Sequence, residues 1–148
     1  MSYEQLRLEN QLCFPFYAIS RLIIRAYQQD LDRLGITYPQ YLVMLVLWEN
    51  DGITVNDIAH RLILNTNTIT PLLKRMETLH LITRSTSRKD QRKVLIHLTE
   101  KGKAMDAEAA TIPLNLIKKL GVDPDAETIR NTQQLKEQLQ ALIHMLNK

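Results

Sequence analysis

The redox-active chemistry in this chain starts from one sulfur. Cys13 is the sole cysteine among 148 residues, and it sits in the stretch ENQLCFPFYAIS, residues 9–20, close to Pro15 and Tyr17. A lone thiol forms no internal disulfide and fits a reducing, cytoplasmic setting. As thiolate it is a nucleophile and a redox centre; buried and inert, it is only a small apolar side chain. The four histidines, His60, His80, His97 and His144, are scattered and match no zinc spacing. The sequence carries no G-x-S-x-G, phosphate loop or dinucleotide fingerprint, so neither a metal nor a cofactor is expected.

A second set of candidates is electrostatic. Net charge is only +3, but between Thr54 and Lys103 ten Lys/Arg stand against four Asp/Glu, and elsewhere nine stand against twelve. A mildly acidic scaffold therefore carries one basic segment, as a protein does when a single surface faces a polyanion. Within that segment Asn65, Thr66, Asn67, Thr68, Thr70, Lys74 and Arg75 cluster in one stretch. Arg84, Arg88, Lys89, Arg92 and Lys93 follow within ten positions. The first group suits base edges and phosphates of a major groove; the second suits the narrow, negative minor groove.

The elements that must position these residues are legible as periodicities. Residues 6–34 keep apolar 3–4 spacing through Leu12, Phe16, Ile19, Ile23 and Ala26, a helix stopped by Gly35. Pro15 allows a start close to Cys13 instead, because proline is tolerated only in a first turn. A second helix opens near Tyr38 with Pro39 in its first turn, apolar nearly all round and so central. Thr54 and Asp57 resemble a capping box before TVNDIAHRLIL. Another helix follows, with Asn65, Thr66, Thr68 and Thr70 all able to cap it and Ile69, Leu72, Leu73, Met76 and Leu79 as its inner stripe.

A short helix, a tight turn and a second helix make helix-turn-helix spacing. Ile82–Thr86 and the alternation at Val94, Ile96 and Leu98 predict a two-stranded hairpin tipped by SRKDQ, which is a wing. Further helices run from Thr99 to an interruption near Pro113, and from about Ala126 to Leu146. Leu135, Leu139, Leu142 and Leu146 form a heptad-like stripe suited to dimerisation, with an internal core helix as the alternative. The fold class is mainly α with a small β-wing. One domain spans 1–148, its winged helix-turn-helix part at about 38–100 and its dimerisation helices at about 6–35 and 114–147.

The polar N-terminus MSYEQLRLEN predicts no secretory signal. The longest apolar run, YLVMLVLW at 41–48, is far below the roughly 20 residues of a membrane helix, so no membrane association is expected.

The segments LENQLCFPFYAISR, ITYPQYLVMLVLWE, NTITPLLKRMETLHLITR and RKDQRKVLIHLTEKG resemble, in this order, the MarR family of winged-helix repressors. Within it they look most like the organic hydroperoxide-sensing branch. The resemblance covers about residues 6–113; beyond that it is to helical character only. It implies a homodimer on a pseudo-palindromic double-stranded DNA operator. It also implies that Asp90, in Asp90-Gln91-Arg92, orients wing arginines while Arg92 approaches the minor groove.

Cys13, Tyr17, Ser20, Ile24, Tyr27 and Leu31 share one helix face, yet Cys13 and Tyr27 lie about 21 Å apart along the axis. A Tyr27 that serves Cys13 must therefore come from a second, antiparallel chain. The resemblance implies the same: two partner tyrosines, by motif position Tyr27 and Tyr38, hold the sensing cysteine, with Tyr17 nearby. A helix N-terminus beside Cys13 would favour thiolate. The expected chemistry is attack on an organic hydroperoxide, giving a sulfenic acid that a low-molecular-weight thiol caps, since no second cysteine resolves it. Three alternatives stand beside this: a MarR-type regulator controlled by a small phenolic or other ligand, a thiol peroxidase, and a winged helix used only for protein contacts.

Overall fold

Pro15 decides where the first helix begins. It has no N–H to donate to the carbonyl of Gln11, and its ring would collide with that carbonyl, so helical bonding cannot run back through it. In the structure, a computed structural model that describes residues 3–148, helix α1 spans Cys13–Leu34 with Pro15 in its first turn. The expectation of a helix from residue 6 is corrected: Glu4–Leu6 and Leu8–Asn10 are separate 3-10 turns. Met1 and Ser2, the start of the polar N-terminal stretch, lie outside the described residues. Gly35 ends α1 at φ +70°, a conformation without steric cost for glycine, and the Ile36 N–H donates to the Leu31 carbonyl at 3.2 Å.

Helix α2, Tyr38–Glu49, opens on a reciprocal cap. The Thr37 N–H donates to Gln40 Oε1 at 2.9 Å, and the Gln40 N–H donates to Thr37 Oγ1 at 3.4 Å. As its apolar circumference requires, α2 runs through the core, burying Tyr41, Val43, Met44, Val46 and Leu47. Strand β1, Ile53–Thr54, leads into helix α3, Val55–Leu62, where the Thr54–Asp57 capping box is present. Helix α4 spans Thr66–Thr78; of its four possible caps Asn65 is the one used, accepting from the Thr68 N–H at 2.9 Å. Pro71 lies in its second turn. Ile69, Leu72, Leu73 and Met76 are buried against the core, but Leu79 is not: it follows the last helical residue and is 37% exposed.

Strands β2, Ile82–Thr86, and β3, Val94–Leu98, pair antiparallel as the alternation predicts. The sheet has three strands, not two, in the order β1-β3-β2, with Ile53 opposite Ile96. Two residues are too few to show a period, so β1 is invisible in the sequence. Four helices complete the chain: α5 Glu100–Ala104, α6 Asp106–Ala109, α7 Ile112–Leu120 and α8 Ala126–Leu146. Gly102 sits hard against β2's approach; a Cβ there would lie 2.2 Å from the Leu81 carbonyl oxygen. The Trp48 indole N–H donates to the Gly102 carbonyl at 2.9 Å, locking α5 to α2.

The core gathers Leu31, Met44, Leu47, Ile58, Ile69, Leu73, Met76, Ile82, Ile96 and Ile112. The two ends of the chain stand outside it. No side chain of α8 is buried, and Leu135 is 54% exposed. The first three turns of α1 likewise expose Phe14, Phe16, Tyr17, Ile19 and Leu22. No helix among the described residues is long and apolar enough to cross a membrane.

Candidate thiol site and nucleic-acid interface

The buried stripe of α4 fixes which of its residues face outward. Asn67, Thr68, Lys74 and Arg75 are exposed, and Thr70 is half-buried at the edge of the stripe. Asn65 binds the first turn, leaving the exposed Thr66 and Asn67 at the positive end of the helix, where backbone N–H groups suit a phosphate.

The wing tip is ordered from within. The Ser87 hydroxyl accepts from the N–H groups of Lys89 at 3.3 Å and Asp90 at 3.4 Å. Asp90 Oδ1 then accepts from the Arg92 N–H at 3.0 Å, with the Arg92 Nε 3.8 Å away. Arg92 itself is 95% exposed. The carboxylate thus fixes the backbone of the tip at Arg92 and lies within ion-pair distance of its exposed guanidinium. Arg88 and Lys89 are exposed beside it.

Arg84 corrects its expected place with the tip cations. It pairs with Ile96 across β2 and β3, so its side chain takes the inward parity of Ile82 and Leu98. It faces a crevice of about 320 Å³ between the start of α3, the start of α4 and the wing, shared with Asn56, Thr66, Thr70, Arg92 and Lys93. The Arg84 Nε is buried there without a hydrogen-bond partner among the described residues. A buried unpaired donor costs about 1–3 kcal/mol. An anionic oxygen in that crevice would relieve it while meeting two hydroxyls and three cations.

The thiol site is split. Cys13 is the first residue of α1 and is exposed. Tyr17, one turn on, is 63% exposed and carries the Arg21 guanidinium 5.3 Å from its ring centroid. Tyr27 and Tyr38 lie elsewhere, packed together with centroids 5.4 Å apart. Burial, and for Tyr27 also the neighbouring Tyr38, raises both phenols above their ordinary value, so both remain O–H donors at neutral pH. Tyr41 completes this group; sequence reasoning missed it, although TYPQY places it one helical turn from Tyr38. Three residues past Tyr27 on α1, the buried Asp30 accepts from Arg33, Asn115 and Lys119 and ties α1 to α7. Among the described residues no three His, Cys, Asp or Glu side chains come together as a metal site.

A family profile described as transcriptional regulator SarA/Rot matches residues 25–108. The organic hydroperoxide resistance transcriptional regulator of Bacillus subtilis (strain 168) is 44% identical over 99% of this chain and 96% of its own length. The chain belongs to the MarR family of winged-helix transcriptional regulators. AbfR of Staphylococcus epidermidis, whose reduced form has been solved bound to DNA, is 40% identical with a TM-score of 0.72, covering 95% of this chain and 96% of that one. The MepR–DNA complex of S. aureus is 27% identical at TM-score 0.79, covering 92% of this chain and 98% of that one. As a MarR-family member the protein is a DNA-binding transcriptional regulator, and α3 and α4 with β2 and β3 are its winged helix-turn-helix.

Proposed function

We propose that this regulator is a homodimeric repressor, released from a pseudo-palindromic operator when an organic hydroperoxide oxidises Cys13. The observation that carries the reading is the split site: an exposed thiol at the start of α1, and a phenol pair formed by Tyr27, about 21 Å further along that helix by helical rise, and Tyr38 at the start of α2. Only a second chain, packed antiparallel along α1, brings the two together. The unpartnered apolar faces of α1 and α8 supply the surface for it. The name of the B. subtilis relative supports the choice of oxidant.

In this reading the phenol hydroxyls of Tyr27 and Tyr38 donate to the partner's sulfur, and Tyr17 lies beside it. The thiolate attacks the terminal peroxide oxygen; the O–O bond breaks, the alcohol leaves with a proton, and Cys13 becomes the sulfenic acid. A small thiol then condenses with it, releasing water and leaving a mixed disulfide. Added bulk at the dimer seam shifts the two α4 helices, whose spacing must match half-sites about 34–36 Å apart. Residues 38–100 bind DNA, through Asn65, Thr66, Asn67, Thr68, Thr70, Lys74 and Arg75 in the major groove and Arg88, Lys89 and Arg92 at the minor groove. Asp90 orients Arg92, and Arg84 reaches the backbone. Residues 13–35 and 114–147 form the dimer.

The test is binding to DNA upstream of the protein's own gene, before and after one equivalent of cumene hydroperoxide plus a small thiol. Wild type should be released and Cys13→Ser retained. Release of both, or of neither, refutes the thiol as sensor and turns attention to a small-molecule ligand.

A further inference from the structure

Three phenols from two helices form one block. Tyr27 and Tyr38 have ring centroids 5.4 Å apart, Tyr27 and Tyr41 5.9 Å, and Tyr38 and Tyr41 6.2 Å, with interplanar angles between 40° and 49°. Each ring touches both others, in the tilted arrangement aromatic pairs favour. The three are not equally held. Tyr27 and Tyr38 are half-buried, whereas Tyr41 is 4% exposed. Its backbone is pinned as well: the Tyr41 N–H donates to the Thr37 carbonyl at 2.9 Å, next to the Thr37–Gln40 capping box and one residue past the buried Gln40.

We propose that Tyr41 is a positioning residue for the thiol site, a fixed wall that sets where the rings of Tyr27 and Tyr38 present their hydroxyls to the partner's Cys13. The inference rests on the split-site reading above. Two half-exposed tyrosines on different helices keep rotamer freedom unless something holds them. A donor that must meet a sulfur from another chain needs placement within about half an ångström. Tyr41 is buried, and its ring lies against both. Burial, and then the proximity of Tyr27 and Tyr38, raises its own phenol above the ordinary value, as expected of three phenols crowded together.

Because the tyrosines of one protomer serve the thiol of the other, the idea is testable in mixed dimers with one surviving thiol. In the first dimer, one protomer is wild type and its partner carries both Cys13→Ser and Tyr41→Leu. In the second, one protomer carries Tyr41→Leu and its partner Cys13→Ser. The two contain the same substitutions; only the first sets the surviving thiol against a cluster lacking Tyr41. The rate of thiol loss with cumene hydroperoxide should be about tenfold slower in the first dimer than in the second. Tyr41→Phe in the first arrangement keeps the ring and should return the rate to within about twofold of the second dimer. If Tyr41→Leu fails to assemble, Tyr41→Met is read in the same two arrangements.

Equal rates in both arrangements overturn the proposal, since a loss of general stability would slow them alike. Tyr27→Phe and Tyr38→Phe, each substituted in the first arrangement, separate the two levels. If these slow the thiol and Tyr41→Leu does not, only the role of Tyr41 falls. If none does, the split-site reading falls with it.

Discussion

Asp30 offers a quantitative check on how α1 is held against α7. Its side chain is 5% exposed, and both oxygens are used: Oδ1 accepts from Arg33 at 3.0 Å and Asn115 at 3.1 Å, and Oδ2 accepts from Lys119 at 3.2 Å. Lys119 also donates to the Ala26 carbonyl at 2.9 Å. Burial by itself would raise this carboxyl; hydrogen bonds from Lys119 and Asn115 and the charges of Lys119 and Arg33 outweigh it and hold it below its ordinary value. Asp30→Asn keeps the shape but sets an amide N–H₂ or a neutral oxygen against the ammonium. Removing one partner of a fully buried pair costs about 3–5 kcal/mol. Here the Lys119 and Arg33 side chains are 36% and 61% exposed and can rehydrate, so the expected loss is about 1–3 kcal/mol.

Urea unfolding followed by the fluorescence of Trp48, the sole tryptophan, should therefore show the midpoint lowered by roughly 1 M at pH 7. Protomer concentration must be held fixed, because dimerisation shifts apparent stability. The pH dependence has a definite sign. A carboxyl whose folded value is depressed stabilises the fold above its unfolded value, near 3.9 for Asp, and loses that contribution as pH falls through the folded value. The gap between wild type and Asp30→Asn should be constant above about pH 5 and shrink below it. Equal midpoints at pH 7, or a gap that widens on acidification, would refute the assignment of Asp30 as a charged clamp between α1 and α7.

Gly102→Ala should destabilise by about 3 kcal/mol or more, because the obstacle 2.2 Å from its Cβ is the Leu81 backbone carbonyl and cannot swing aside; the same urea assay reads it, and a wild-type midpoint would show that β2 yields. Arg84→Ala should weaken binding to any duplex and lower the salt dependence of log K by about one phosphate, without loss of stability, since it removes a buried unpaired donor. Binding measured from low to high salt checks this, and an unchanged slope would take Arg84 out of the interface.

Features governed by neighbours one turn away were readable from the chain alone. Thr54 with Asp57, and also Gly35, act through bonds spanning three to five residues, so their consequences follow from order and chemistry, and the Thr37–Gln40 box, overlooked in the sequence, is of the same kind. Strand β3 and helix α8 came out at their expected bounds because their apolar periods are long enough to count, and β2 followed as the hairpin partner of β3. Arg84 was misplaced only because charge was counted without strand parity, and that parity was there to be read from Ile82.

Other features depend on how the chain closes on itself. Asp30 meets Lys119 across 89 positions, Trp48 meets Gly102 across 54, and Tyr27 on α1 meets Tyr38 and Tyr41 on α2. No local pattern selects one such pairing over others, because the free energy that favours it comes from packing the whole core. The sequence by itself determined the winged helix-turn-helix, the basic segment and the isolated thiol, while the structure settled that this thiol opens a helix. Only the tertiary structure decided that Arg84 lines a crevice and that three phenols form one block; that the thiol lies out of reach of Tyr27 within its own chain followed already from helical rise. A rigid helix keeps residues fourteen positions apart from touching, whatever their chemistry.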